Sequence, residues 1–513
     1  MPDGLLTSLC VILCESLFLS DVMKALRYLC CFLSCSACFA GQPHPNFLVI
    51  MGEAQGWASM SVPLDDRHIE GSKSDYIRTP NLDAIAETGI RFSDFYAASP
   101  RCTPTRAALF TGRSPAALHM TFVGEGGKEG IVHPGDKIIP PTATTELPAR
   151  IETIATLLKK QGYTTAHFGK WHVGRTSPTE HGFDYTDGAN SNGGPENVES
   201  PNPKQAYAIA KQGMEFIETQ ARAKKPFYLQ LSQYPGRGEE TALPETVEAV
   251  KQRLGTRMDF LRIGTAAGDE EIDKTIGLVI AKLKEVGALA NTYVIYTADH
   301  GAQGRNTNGM LTNGKGTVWE GGLRVPLLVA GPGIRPKQFS HVRASTVDVM
   351  PTILDLAGIQ DVPQGVEGVS LVDVLKKDPN TPPKRTHEEL VIHFPHYDKD
   401  PIGPASAILY QNYKLIRVFE TEQRHLYDLG EDLGEENDLA QAKPDMVQVL
   451  DCRMMVYLNS VNASMPKSNP EYVEGGEKSG DRKGGAGSGG AGKGGGGKKG
   501  MMKKETAVKP SVK

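Results

Sequence analysis

The sequence predicts an α/β fold: a large, mostly parallel β-sheet sandwiched by helices, followed by a smaller antiparallel sheet. Three observations predict it. Short apolar runs that end in polar or glycine residues alternate with amphipathic stretches through the first three quarters of the chain. Those runs read as strands buried on both faces, as in parallel sheets covered by helices. After about residue 376 the texture changes to short strand-like runs separated by turn residues.

The first strand is "NFLVIM" (46–51), and "TTAHFG" (164–169), "PFYLQLSQY" (226–234), "TYVIYTADHG" (292–301) and "RVPLLVAGPG" (324–333) follow it. Helices are expected at "NLDAIAETG" (81–89), "ETIATLLKKQG" (152–162), 205–223, 273–287 and "VDVMPTILDLAG" (347–358). Several end at a glycine, the residue that closes helices in the left-handed conformation. In such sheets functional residues gather beyond the C-terminal strand ends. "ELVIHF", "SAILYQN", "YKLIRVFE" and "RHLYDLGE" make the small sheet. The expected divisions are a leader over 1–40 with a possible start at Met23, a main α/β domain over 41–375, an α+β subdomain over 376–462, and a Gly/Lys-rich tail over 463–513 that is too polar to fold.

The leader reads as an export signal. Met23, Lys24 and Arg27 form a basic start, "YLCCFLSCSACFA" is apolar and then small, and cleavage is expected near Ala40. The protein is therefore expected to be periplasmic or secreted. The apolar run is short for a bilayer span, so no stable membrane span is expected; an anchor that uses the upstream "LLTSLCVILCESLFL" is the competing reading. A net charge of −4 supplies no basic field for nucleic acid. Six of the eight cysteines lie in the leader, which leaves Cys102 and Cys452. That is no disulfide framework, although one bridge between the two stays open.

"SPRCTPTRAALFTGR" (99–113) is the most informative stretch. Thr103 reads as an N-cap, Pro104 as the first helical residue and Gly112 as the close. Cys102 then stands ahead of a helix N-terminus, where N–H groups and the macrodipole favour an anion. Arg106 in the first turn reaches the same spot. This setting suits an activated nucleophile that meets an anionic substrate.

Cys-x-Pro-x-Arg followed by "LFTGR" resembles the signature of the type I sulfatases. "TPNLDAIAETGIRFSDFYAASP", "GYTTAHFGKWHVG", "HGFDY", "TADHG", "KGTVWEGGLRVPLLVAGPG", "DVMPTILDLAG" and "HLYDLGEDLGEENDLA" resemble that family's segments in their usual order, from about Asn46 to Ala440. The resemblance implies an alkaline phosphatase-like fold and an arylsulfatase-like sulfuric ester hydrolase. It implies that a formylglycine-generating enzyme converts Cys102 to Cα-formylglycine (3-oxoalanine). The hydrated aldehyde offers two geminal hydroxyls: one attacks sulfur, and the other loses its proton to expel sulfate. By the same resemblance Ca²⁺ is held by Glu53, modified Cys102, Asp299 and His300. Lys170 and Lys315 bind the sulfate, His172 is a candidate base, and Arg106 supports the modified side chain. Glu320, Arg324 and Pro326 read as scaffold.

The sequence departs from the family pattern twice. The family carries two adjacent aspartates after its first strand; here "GEAQGW" has Glu53 and then Ala54, with Gln55 or the Asp65–Asp66 pair as possible substitutes. The family also carries a histidine near the end of "FYLQLSQYPGRG", where Arg237 aligns; arginine is a poor proton donor but binds sulfate or a sugar carboxylate. The expected activity is hydrolysis of sulfate esters in a sulfated small molecule or polysaccharide. The alternatives are a phosphatase or phosphonate hydrolase on the same fold, and a non-catalytic binder of sulfated glycans.

Overall fold

A computed structural model describes residues 44–123, 132–192, 205–234, 242–255, 260–303 and 307–479. The expected leader, Arg237 and the last 34 residues lie outside the described residues.

Among the described residues sixteen strands form in chain order. They are β1 (Asn46–Gly52), β2 (Ile90–Phe92), β3 (Phe95–Tyr96), β4 (Ile138–Ile139), β5 (Thr164–Gly169), β6 (Tyr185–Thr186), β7 (Phe227–Ser232), β8 (Thr292–Ala298), β9 (Leu327–Ala330), β10 (Gln338–Ser340), β11 (Ala344–Ser345), β12 (Leu390–Phe394), β13 (Ala405–Tyr410), β14 (Tyr413–Val418), β15 (Arg424–Asp428) and β16 (Lys467–Ser468). The main sheet has eight strands in the order β10-β2-β9-β8-β1-β7-β5-β6. The neighbours from β8 through β6 run parallel, and β9 is antiparallel to both β8 and β2. This is the mostly parallel sheet the sequence predicted.

Every residue of β1 is buried, because helices cover both faces. Phe47, Val49 and Met51 pack with Ala107, Leu109 and Phe110 of the helix Cys102–Thr111 and with Ile154, Leu158, Ile353 and Leu354. Leu48 and Ile50 face Leu82, Ile85, Ile209, Phe216, Ile272 and Ile276 on the other side. β12 to β15 pair consecutively as an antiparallel meander. Its alternation divides cleanly: Val391, Ile408, Leu415 and Leu426 meet Leu450 and Met454 of the helix Pro444–Ser460. Ile392, Ala407, Ile416 and Tyr427 join the main core. The small sheet is thus welded to the larger one by burial on both faces.

The structure corrects several expectations. The helix at the nucleophile begins at Cys102 itself, with Arg101 as N-cap, so Thr103 and Pro104 lie inside its first turn; Gly112 closes it with φ +64° as expected. Proline is tolerated there because no first-turn N–H has an intrahelical partner. The helix expected over 273–287 spans Phe260–Glu285. Helices Pro244–Leu254 and Pro444–Ser460 were not anticipated. Residues 463–479 do not behave as a disordered tail: Lys467–Ser468 pair with Ile138–Ile139, and Ser479 binds Asp136 through its hydroxyl at 2.6 Å. Cys102 is buried and Cys452 exposed, each as a free thiol, so no bridge joins them. Among the described residues no helix is long and apolar enough to cross a membrane.

Candidate active site

Four parallel strands deliver the site. β8, β1, β7 and β5 lie side by side, with Ala298 in register with Gly52, Met51 with Ser232, and Ser232 with Gly169. The residues just beyond these ends therefore converge: Glu53 after β1, Lys170 after β5, and Asp299 and His300 after β8. The Asp299 N–H donates to the Gly52 carbonyl at 3.2 Å and the Lys170 N–H to that of Ser232 at 2.9 Å. These bonds extend the ladder one residue past the strands and set where the side chains start.

The helix Cys102–Thr111 brings Cys102 and, one turn later, Arg106. Lys315 arrives on a loop whose N–H groups bind across to the others, Lys315 to the Ala302 carbonyl at 2.9 Å and Gly316 to that of Pro100 at 3.0 Å. The loops after β8 and before Leu323 approach so closely that only glycine serves at 301. A Cβ there would lie 1.8 Å from the Gly321 carbonyl oxygen.

Glu53 is the hub. Its carboxylate accepts from Lys170 at 2.6 Å and from Lys315 at 3.0 Å. Asp299 accepts from Arg106 at 2.9 and 3.2 Å, and Arg106 also donates to the Lys170 carbonyl at 2.7 Å. The Cys102 sulfur lies 3.2 Å from His300 Nε2, 3.7 Å from Lys315 Nζ and 3.8 Å from Glu53. Burial and Glu53 would raise the Cys102 thiol, but Lys170, Lys315 and His300 together hold it well below its ordinary value. Burial likewise opposes the charge on Glu53, and the same three groups hold that carboxyl well below its usual range.

Glu53, Cys102, Asp299 and His300 each offer one ligand atom, all within 4.8 Å of one another and all buried. His300 Nδ1 lies 2.9 Å from the Gly301 carbonyl oxygen. A carbonyl can only accept, so Nδ1 carries a proton, and Nε2 faces Asp299 at 3.4 Å and Glu53 at 3.7 Å. Two carboxylates and an imidazole nitrogen facing one point are a donor set that fits a divalent cation.

The expected residues Glu53, Cys102, Arg106, Lys170, Asp299, His300 and Lys315 come together. His172 is buried nearby, on a left-handed backbone with φ 57°, and its N–H donates to the Asn190 carbonyl at 2.9 Å; it is not in the four-donor group. Neither suggested substitute for the missing second carboxylate reaches the cluster. The Gln55 amide turns to Asp269 at 3.1 Å, and Asp65 is held by Arg67 at 2.8 and 3.0 Å. At position 54 itself the backbone N–H donates to Asp299 at 3.1 Å, which orients that carboxylate but supplies no ligand. Sequence reasoning missed a rim beside the site. Arg101 pairs with Asp398 through Nε and Nη2, Phe122 packs on His396 with the rings tilted by 38° and their centroids 4.8 Å apart, and His396 meets the Thr121 hydroxyl at 2.8 Å.

Comparison with known proteins agrees with this geometry. A sequence model of the sulfatase family matches residues 45–359. The chain belongs to the sulfatase family. It is thereby a sulfuric ester hydrolase of the alkaline phosphatase-like superfamily. A second model, described as N-sulphoglucosamine sulphohydrolase, C-terminal, matches residues 313–462. The N-acetylgalactosamine-6-sulfatase of Mus musculus is 31% identical over 66% of the chain and 68% of its own length. An ulvan-active sulfatase of Formosa agariphila is 26% identical over 72% of the chain and 74% of its own length. The crystal structure of Ps i-CgsB with k-i-k-neocarrahexaose superposes with a TM-score of 0.65 at 22% identity, over 81% of this chain and 93% of that one, which is a likeness of fold.

Proposed function

We propose that this sulfatase is exported and hydrolyses sulfate esters of a sulfated carbohydrate, with a nucleophile made from Cys102. The observation that carries this reading is the convergence of Lys170, Lys315, Arg106, Glu53, Asp299 and His300 on one buried thiol at a helix N-terminus. A thiol kept for packing needs no such surroundings. The relatives named for N-acetylgalactosamine-6-sulfate and for ulvan support a carbohydrate substrate.

Two-electron oxidation of Cys102 by a formylglycine-generating enzyme, with dioxygen as the oxidant and the sulfur lost as hydrogen sulfide, leaves formylglycine, which on hydration carries two hydroxyls on one carbon. Glu53, Asp299, His300 and an oxygen at position 102 would hold Ca²⁺, which supplies charge for the sulfate oxygens and eases ionisation of the attacking hydroxyl. The chain's own groups do the rest. Lys315, the most exposed of the cluster, receives the incoming sulfate, and Lys170 meets it from the C-terminal end of β5. Both hold positive charge where negative charge spreads in the transition state. Arg106 locks Asp299 and the Lys170 backbone into one frame. His172 is the candidate base for the second hydroxyl, and Arg237 is assigned to a sulfate or sugar carboxylate.

The test is to co-express the chain with a formylglycine-generating enzyme, weigh the peptide that holds Cys102, and assay an aryl sulfate beside the matching aryl phosphate, with and without chelator. An aldehyde at 102 with chelator-sensitive sulfate release is expected. Faster phosphate release, or an aldehyde without turnover of any ester, would overturn the reading.

A further inference from the structure

We propose that Asp398, in the loop between β12 and β13, is a positioning and charge-balancing residue of the sulfate pocket: it ties the C-terminal sheet to the residue before Cys102 and cancels the charge of Arg101, so that the product anion can leave. This rests on the sulfatase reading above. Within the cluster the side chains of Glu53, Lys170, Asp299, His300 and Arg106 are fully buried, while that of Lys315 is 11% exposed. Anions therefore approach past Lys315.

Asp398 flanks that approach. Its Oδ2 lies 2.5 Å from the place a Cβ on Gly316 would occupy, and Gly316 follows Lys315 directly with φ +85°. Glycine is required there both for that backbone and for the room Asp398 takes. The Gly316 N–H holds the Pro100 carbonyl, and the Asp398 carboxylate takes two donors of Arg101, the residue before Cys102. Three segments distant in sequence meet at this one carboxylate. The pair is nearly buried, with 14% of the Arg101 side chain and 9% of the Asp398 side chain exposed. The Arg101 guanidinium also lies over the Phe122 ring at 5.9 Å, so it is held from two sides.

Lys170, Lys315 and Arg106 already supply cations. An unpaired Arg101 beside them would strengthen the hold on every anion, substrate and product alike. Binding that is equal in ground and transition states does not speed the chemical step, and a tighter product slows turnover.

The experiment uses the full-length secreted protein with Asp398→Asn, Arg101→Gln and the double substitution. Binding of inorganic sulfate is measured by calorimetry, with inhibition of aryl sulfate hydrolysis by sulfate as a second readout. Asp398→Asn should tighten sulfate about tenfold, as expected for unmasking one nearby charge at intermediate dielectric. Arg101→Gln, which leaves the carboxylate alone, should weaken sulfate by about the same factor. The double substitution should bind sulfate about as the wild type does. A merely structural role would move both single variants in the same direction, and that result overturns the proposal. So does a double variant as tight as Asp398→Asn. Should Asp398→Asn fail to fold, the weakening by Arg101→Gln and its reversal in the double variant decide the matter. A wild type that binds sulfate while Asp398→Asn leaves that affinity unchanged refutes the role of Asp398 alone. A wild type that fails to hydrolyse the aryl sulfate refutes the sulfatase reading with it.

Discussion

Replacing Glu435 by glutamine should stabilise the protein above neutral pH, the reverse of what a simple salt bridge predicts. Lys414 on β14 is fully buried and lies 2.9 Å from Glu320 and 2.8 Å from Glu435. One ammonium therefore serves two carboxylates. Glu320 has further partners, Arg324 at 2.7 Å and the Tyr96 hydroxyl at 2.9 Å; against its burial, Lys414 and Arg324 hold it at about 2. Glu435 is the one left short. Burial, with the charge on Glu320, raises it to about 7 although Lys414 opposes this. A carboxyl at about 7 in the fold and near its ordinary 4.5 when unfolded holds its proton longer in the fold. Its contribution is complete below about pH 4.5, is lost as pH rises through about 7, and amounts to about 3 kcal/mol. Glutamine imitates the protonated side chain and cannot ionise. Melting of Glu435→Gln and wild type, followed by near-ultraviolet circular dichroism, should therefore coincide near about pH 4.5, diverge through neutrality, and leave the variant several degrees higher at about pH 8. A variant that melts below the wild type at about pH 8 would show that the charged pair stabilises the fold, and the reasoning would fail.

Four further outcomes are expected. Cys102→Ser should fold and be secreted but lose about 10³-fold or more in turnover, and intact mass should show one sulfo group retained, because a lone hydroxyl cannot expel it. Lys315→Met should lower kcat/KM for an aryl sulfate by about 10²–10³-fold, as for loss of one charge-stabilising donor, with the Cys102 peptide still converted. Chelation should abolish turnover and lower the melting temperature, with calcium restoring both; a chelator-treated enzyme of full activity would remove the cation from the site. Ala54→Asp sits at φ 54°, a backbone that aspartate tolerates better than most residues, and should tighten calcium about tenfold or more by adding a carboxylate, read by competition with a fluorescent chelator.

The strands were legible because burial on both faces leaves an unbroken apolar signature. β5 spans its expected residues, and the ends of β1, β7 and β8 lie within three residues of theirs. Helices were less legible where their partners decide them. Phe260–Glu285 contains Gly264 and Gly268, which read as breakers, yet Ala266 and Ala267 are buried against Val247 and Val250 of a neighbouring helix. Small residues allow that close approach, and packing outweighs the local propensity.

By itself the sequence determined the chemistry available to this protein. A cysteine beside a helix start, carboxylate and cationic residues after strand-like runs, and a family pattern named the participants. Only the tertiary structure decided which of them meet. It turned Gln55 away to Asp269, gave Asp65 to Arg67, and bound the Ala54 N–H to Asp299. It also brought Asp398 across 297 positions to Arg101. Apolar spacing encodes which face of a strand or helix is buried, whereas a polar contact depends on where separate elements end in space, and no local pattern carries that distance.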